Sequence, residues 1–178
     1  MSAWLFTGLV ALVGVERLVE LVVSNRHIAL AKAAGGVERG LGHYPVMVVL
    51  HTGLLVGAVM EVWVADRPFL PWLGWPMLAL AVASQALRWW CIATLGNAWS
   101  TRVVVVPGTP LVRSGPYRWV RHPNYVAVVV EGLALPLVHT AWVTAAVFTL
   151  VDAALLRVRI RCEQAALREL AATEATPA

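Results

Sequence analysis

Gly115-Pro-Tyr-Arg-Trp-Val-Arg-His-Pro-Asn-Tyr125 opens an apolar run that lasts from Tyr125 to about Val158 and is interrupted only near Pro136 to Thr140. At the far end of that run stand Arg157, Arg159 and Glu163. The run exceeds what one helix needs to cross hydrocarbon and suffices for two helices folded back on each other, with Pro136, His139 and Thr140 at the turn. The first of the two is short for a full crossing. Such a hairpin places a cationic, aromatic, proline-punctuated loop and a polar helical end around a pair of helices that belongs in lipid.

Composition agrees with that setting: 60% of residues are hydrophobic and 13% charged, and the mean hydropathy is +0.72, far from the globular average. Three further apolar runs, Ala3–Val23, Tyr44–Val64 and Phe69–Leu95, each approach the roughly 20 residues of a spanning helix. The expected fold is therefore all-α. It is a polytopic membrane bundle of about five segments in one domain, with residues 1–95 forming a three-helix region. Residues 96–178 supply a connector, the C-terminal helical hairpin and a tail that frays from Ala171 to Ala178.

Arg26, Lys32 and Arg39 fall in the first loop, Arg102, Arg113, Arg118 and Arg121 in the connector, and Arg157, Arg159, Arg161 and Arg168 in the tail, against Arg67 alone on the opposite side. Positive residues gather on the cytoplasmic side, so the N-terminus is expected outside and the connector and C-terminus inside. The net charge of +4 thus reports membrane topology and makes no case for nucleic acid. No positive n-region precedes Ala3, and a cleaved signal peptide is not expected. Cys91 and Cys162 form no C-x-x-C, and His43 and His51 show no third ligand at helical spacing, so no metal site is indicated.

Ionisable groups inside apolar segments are costly, which makes each a candidate site or an internal pair. Arg17 and Glu20 are i,i+3 neighbours that can satisfy each other. Glu61, near Asp66 and Arg67, marks an outer boundary. Arg88, one turn after Ser84 and Gln85, either snorkels to the surface or faces a polar cavity. Glu131 sits amid Val128-Val129-Val130 and Leu133-Ala134-Leu135 with no basic residue within four positions. Its carboxylate needs a tertiary partner, a ligand or a proton. Further along, Arg159 and Glu163 share one helical face, while Arg157 and Arg161 share another.

The connector holds Pro107, Gly108, Pro110, Gly115, Pro116 and Pro123, with Val103 to Val106 as a possible extended piece. Pro123 suits the first turn of a helix, where a missing N–H costs nothing. The loop can lie as a lid over a cavity between the last two segments. There, free N–H groups at a helix start, together with Arg121 and His122, can hold an anionic or zwitterionic cofactor.

At these residues the chain resembles the isoprenylcysteine carboxyl methyltransferase family of integral membrane methyltransferases. The likeness covers roughly residues 95–170 and rests on the G-P-Y-R-x-x-R-H-P-x-Y core and the R-x-R-x-x-x-E tail. The N-terminal half, through Glu16-Arg-Leu-Val-Glu-Leu, Ser24-Asn-Arg-His, Gly36-Val-Glu-Arg-Gly and His43-Tyr-Pro, is similar to a bacterial branch that accompanies type III polyketide synthases and O-methylates alkylpyrones or alkylresorcinols. The resemblance implies a bacterial cytoplasmic membrane and S-adenosylmethionine as methyl donor. It also implies that Thr109, Pro110, Leu111, Val112, Tyr117, His122, Pro123, Asn124 and Tyr125 surround that donor, with Glu163 contacting it and Arg159 the substrate. Three departures are visible. Cys162 replaces the first of two adjacent acids, Arg102 stands where eukaryotic members have an amide-type contact, and Glu131 is acidic where the prenylcysteine enzymes are not.

Methyl transfer from a sulfonium needs donor and acceptor held in line in a dry pocket, and no covalent protein nucleophile. An anionic acceptor could be oriented by Arg159 or Arg157. A phenolic hydroxyl, with a pKa near 10, needs help losing its proton, and Glu131 is the candidate base. The acceptor is expected to be a lipophilic small molecule that partitions into the bilayer among the membrane lipids. Trp89, Trp90 and Trp99 either line its passage or anchor the helices at the interface. The alternatives are carboxyl methylation of a prenylated cysteine, N-methylation of a phospholipid headgroup, or a non-catalytic membrane protein.

Overall fold

The computed structural model describes residues 1–40, 42–110 and 112–174. Among the described residues five α-helices form the bundle: α1 (Ala3–Ala33), α2 (Tyr44–Val64), α3 (Pro71–Leu95), α4 (Pro123–Leu137) and α5 (Trp142–Glu174). Two three-residue strands, β1 (Val37–Arg39) and β2 (Val103–Val105), pair antiparallel with Val37 opposite Val105. The short strand expected near Val103 is thus present, and its partner comes from the loop after α1.

The bundle is inside-out in the manner lipid demands. Leu12, Val64 and Leu150 are 66%, 75% and 74% exposed, while Glu20, Arg88, Glu131 and Asp152 are 2%, 7%, 6% and 2% exposed. Apolar side chains face outward and charges face inward, the reverse of a water-soluble core. The interior is also divided along its length. Phe6, Val10, Val13, Ala58, Val62, Leu135, Val138 and Ala141 form an apolar plug at one end, and the buried charges gather toward the connector.

Helix ends explain most departures from expectation. The first helix runs ten residues past the expected end at Val23, because Ala29, Leu30, Ala31, Lys32 and Ala33 are strong helix formers and no breaker appears before Gly35. Falling hydropathy marked where lipid stops, not where the helix stops. In the same way α5 continues through Glu174, past the expected fraying point at Ala171; residues 175–178 lie outside the described residues. Both helices therefore extend beyond the hydrocarbon on the connector side: at 1.5 Å per residue, 31 and 33 residues span about 46 and 50 Å, against roughly 30 Å of lipid.

The hairpin turn falls at Val138–Ala141. Thr140 adopts φ +56°, and its hydroxyl donates to Pro68 O at 2.7 Å. Glu61, expected merely to mark a boundary, caps a different helix. Its carboxylate accepts from Val143 N at 3.1 Å and Thr144 N at 2.7 Å at the start of α5, and pairs with Arg67 at 2.8 Å. Free N–H groups at a helix N-terminus favour such an anion.

Where α4 meets α5 the two backbones approach closely. A Cβ on Gly132 would stand 2.0 Å from the Phe148 ring, so nothing larger than hydrogen fits without moving Phe148. Gly132→Ala should lower stability by about 1–3 kcal/mol through overpacking. Thermal unfolding in detergent checks this, and an unchanged midpoint would show that the ring moves aside freely.

Candidate active site

The site is assembled from the ends of all five helices that meet the connector. Ser24 and His27, one turn apart on the extension of α1, grip the connector as it leaves α3. Thr101 N donates to Ser24 Oγ at 2.9 Å, the two hydroxyls lie 2.9 Å apart, and His27 Nδ1 lies 2.8 Å from Trp99 O. The strand pair continues this attachment. Glu38 on β1 bridges Lys32 Nζ at 2.6 Å and Arg102 Nη1 at 3.0 Å. The Lys32 ammonium, aided by Arg102, holds the Glu38 carboxyl below its ordinary pKa. Arg102 also lies over the Tyr44 ring at 4.7 Å, so its cation is committed to anchoring the connector.

Fixed in this way, Thr101 presents its carbonyl to Arg159 Nη2 at 2.6 Å. Arg159, 8% exposed, spends its other nitrogens on Tyr125 and Met47: Nε donates to Tyr125 Oη at 3.0 Å and Nη1 meets Met47 Sδ at 2.7 Å. Tyr125 Oη in turn donates to Glu163 Oε2 at 2.7 Å. His122 stacks on the Tyr125 ring at 5.2 Å, with its Nδ1 3.8 Å from Glu163 Oε1. The first turn of α4 and the outer turns of α5 are thus joined through one phenol oxygen.

Tyr125 and Leu156 stand between two spaces. On one side an apolar groove of about 410 Å³ runs between α4 and α5, with Arg121 and His122 at its edge. On the other is an internal cavity of about 150 Å³, walled by α1, α2, α4, α5, Arg88 of α3 and the connector at Trp99–Thr101. The cavity was expected between the last two helices alone. Met47 and His51 of α2 and Glu20 of α1 share in it because α2 packs on α5 and α1 packs on the connector.

Several expected site residues lie here and others do not. His122, Pro123, Asn124, Tyr125, Arg159 and Glu163 come together, and the Asn124 Oδ1 is buried without a hydrogen-bond partner. Tyr117 hydrogen-bonds to Cys91 on α3; burial pushes its phenol pKa up, with Glu163 and Tyr125 near enough to add to the effect. Thr109 and Pro110 are exposed and Val112 is half-buried; none of the three borders either space. Leu111 lies outside the described residues.

Arg157 requires correction as a substrate-facing residue. It is exposed and two positions from Arg159, which turns it about 200° away on the helix. Glu131, the candidate base, lines the internal cavity and has a tertiary partner. Both its oxygens accept from Arg17 Nη2 at 2.8 Å, and Gln85 Nε2 lies 3.4 Å away. Arg17 also pairs with Glu20 at 2.6 Å, and Arg88 clasps Glu20 through Nε at 2.5 Å and Nη2 at 2.9 Å. Gln85 and Trp89 both donate to Glu16. Arg88 therefore faces the interior, and Glu131 belongs to a network across α1, α3 and α4. Trp99 is buried and lines the cavity, whereas Trp89 and Trp90 are partly exposed at 40% and 47%.

A lipid-embedded bundle whose buried charges line a connector-covered cavity, with a lateral apolar groove on the other side of Tyr125, has the plan of an enzyme working on lipid-borne material. Residues 77–169, just over half of the chain, match the isoprenylcysteine carboxyl methyltransferase (ICMT) family, and the chain belongs to that family of membrane methyltransferases. An uncharacterized protein of Bacillus subtilis, YpbQ, is 39% identical over 166 residues, covering 93% of this chain and 98% of its own. An uncharacterized protein of Haemophilus influenzae is 27% identical over 157 residues, covering 86% of this chain and 90% of its own. The fold resembles the solved eukaryotic intramembrane Ras methyltransferase ICMT with a TM-score of 0.55 at 22% identity, over 67% of this chain and 44% of that one.

Methyltransferases of this family use S-adenosylmethionine as donor. The groups near Tyr125 fit such a molecule. Glu163 and the partnerless Asn124 Oδ1 are acceptors suited to its ammonium and hydroxyl groups, and His122, Arg121 and the start of α4 suit its carboxylate. Bound there, it supplies a methyl group on a positively charged sulfur.

Proposed function

We propose that the chain O-methylates a hydroxyl on a membrane-partitioned ring compound, an alkylpyrone or alkylresorcinol, with S-adenosylmethionine as donor. The observation that carries this reading is the position of Tyr125. Its hydroxyl ties Arg159 to Glu163 at the connector, and its ring borders both the lateral groove and the internal cavity. A water-soluble donor entering beneath the connector and an alkyl chain lying in lipid could meet there. Arg159 orients the acceptor, the apolar walls exclude water, and positioning supplies most of the rate.

The pattern of positive residues supports an external N-terminus with the connector in the cytoplasm, where the donor is made. The similarity of the N-terminal half to the polyketide-associated branch supports a ring acceptor and a functional link to a type III polyketide synthase. Carboxyl methylation of a prenylated cysteine is a second reading, favoured by the family description and by a buried arginine that could orient a carboxylate. Purified protein incubated with labelled donor and extracted bacterial lipids, followed by mass spectrometry, separates the two. A base-stable aryl or enol ether is expected. A base-labile ester would replace the first reading with the second, and a methylated phospholipid amine would remove both.

A further inference from the structure

The internal cavity contains a carboxylate for which the fold has no use. Asp152 on α5 is 2% exposed, lines the cavity, and both its oxygens are buried without a hydrogen-bond partner. Among the described residues the other inward carboxylates are engaged: Glu20 by Arg17 and Arg88, Glu131 by Arg17 and Gln85, Glu163 by Tyr125, and Glu61 by Arg67 and the start of α5. A buried carboxylate without a hydrogen-bond partner is among the least tolerated groups in a protein, and lipid offers it no relief. Packing alone would have preferred a leucine.

Position gives the group a direction. Asp152 lies seven residues before Arg159, which puts both on one face of α5 about 10 Å apart along the axis. Phe148, Leu155 and Leu156 line the same cavity. Arg159 therefore stands at the connector end and Asp152 on the lipid side of a space of about 150 Å³, a volume known to accept a single benzene ring. The orphaned polar atoms of the residues lining that space are three acceptors, Asp152 Oδ1 and Oδ2 and Asn124 Oδ1, and one donor, Trp99 Nε1. An occupant that satisfies the acceptors must bring donors, and one that also satisfies Trp99 must accept; a hydroxyl does both. A carboxylate cannot donate, and it would add a second negative charge beside Asp152.

Building on the proposed reading, we infer that Asp152 is the catalytic base of this site: it binds the ring hydroxyl of the acceptor, removes its proton, and thereby selects hydroxyl acceptors over carboxylates. In the step, the O–H bond of the acceptor breaks and its proton passes to an Asp152 oxygen, while the electron pair stays on the acceptor oxygen as the nucleophile for methyl transfer. The proton returns to water when the product leaves. This role replaces the one expected of Glu131, whose oxygens are held by Arg17.

The test uses full-length protein in lipid nanodiscs with 5-pentadecylresorcinol and a ring-fluorinated analogue whose hydroxyls are more acidic. Asp152→Asn should lower methylation of the parent at least 100-fold but of the analogue less than 10-fold. Calorimetric affinity for S-adenosylhomocysteine should stay within 2-fold, and the melting temperature should hold or rise, since a buried unpaired charge is removed. Asp152→Glu should recover part of the parent activity. Equal losses on both acceptors, full activity of Asp152→Asn, or a fall in melting temperature would overturn the assignment. Wild-type protein that methylates a prenylated cysteine analogue and neither resorcinol would instead overturn the proposed function, a result distinct from failure of Asp152 alone.

Discussion

Arg17→Met should be the most destabilising single substitution in the bundle, lowering stability by about 3–5 kcal/mol, the usual cost of removing one partner from a buried ion pair. The guanidinium of Arg17 serves three side chains on three helices. It donates to Glu20 at 2.6 Å, to both oxygens of Glu131 at 2.8 Å and to Gln85 Oε1 at 2.8 Å. Without it Glu20 keeps Arg88, but Glu131 is left with Arg88 Nη1 at 3.9 Å and Gln85 at 3.4 Å. A carboxylate 6% exposed within lipid then has too little compensation. Adding Glu131→Leu should restore much of the loss, because the orphaned charge is gone. Chemical unfolding of wild type, both single variants and the double measures the coupling as a cycle. Additive losses would show that the pair contributes nothing of its own.

That network also shows where sequence reading runs out. The ends of α2 were legible to the residue because apolar run and helix coincide, and the hairpin turn was legible from Pro136, His139 and Thr140. Arg17 and Glu20 were legible as an i,i+3 pair. Their further bonds to Glu131 and Arg88 were not, since partners 68 and 114 residues away leave no trace in local spacing. A buried carboxylate without a near neighbour announces only that some partner exists. The ends of α1 and α5 were missed because hydropathy reads the edge of lipid while helices stop at breakers. Three-residue β1 is too short to show a period of two. Asp152 carried a usable signal, its seven-residue spacing from Arg159, but spacing along one helix does not tell whether a carboxylate finds a partner on another. The choice between Arg157 and Arg159 needed the rotation of α5, which only packing against α2 and α4 sets.

Arg159→Lys should impair catalysis severely while leaving the charge in place. The guanidinium makes three contacts in three directions, to Tyr125 Oη, Met47 Sδ and Thr101 O. An ammonium on a shorter, flexible stem can keep at most part of that set, because it lacks the planar fork. Tyr125 then loses one of the two bonds that fix its hydroxyl, and the ring between groove and cavity gains freedom. Turnover of the lipid acceptor should fall about 100-fold, equivalent to nearly 3 kcal/mol of transition-state stabilisation. Affinity for S-adenosylhomocysteine should change little, since Glu163 keeps its bond from Tyr125. Glu163→Gln should give the opposite division. It removes the negative charge facing the donor and should weaken S-adenosylhomocysteine binding about 10- to 100-fold, as expected for a charge-assisted hydrogen bond. Tyr125→Phe, which deletes the oxygen common to both, should impair binding and turnover together, and its combination with Arg159→Lys should be less than additive. Wild-type turnover in Arg159→Lys would show that the arginine only packs. Additivity with Tyr125→Phe would show that the phenol oxygen does not link the two functions.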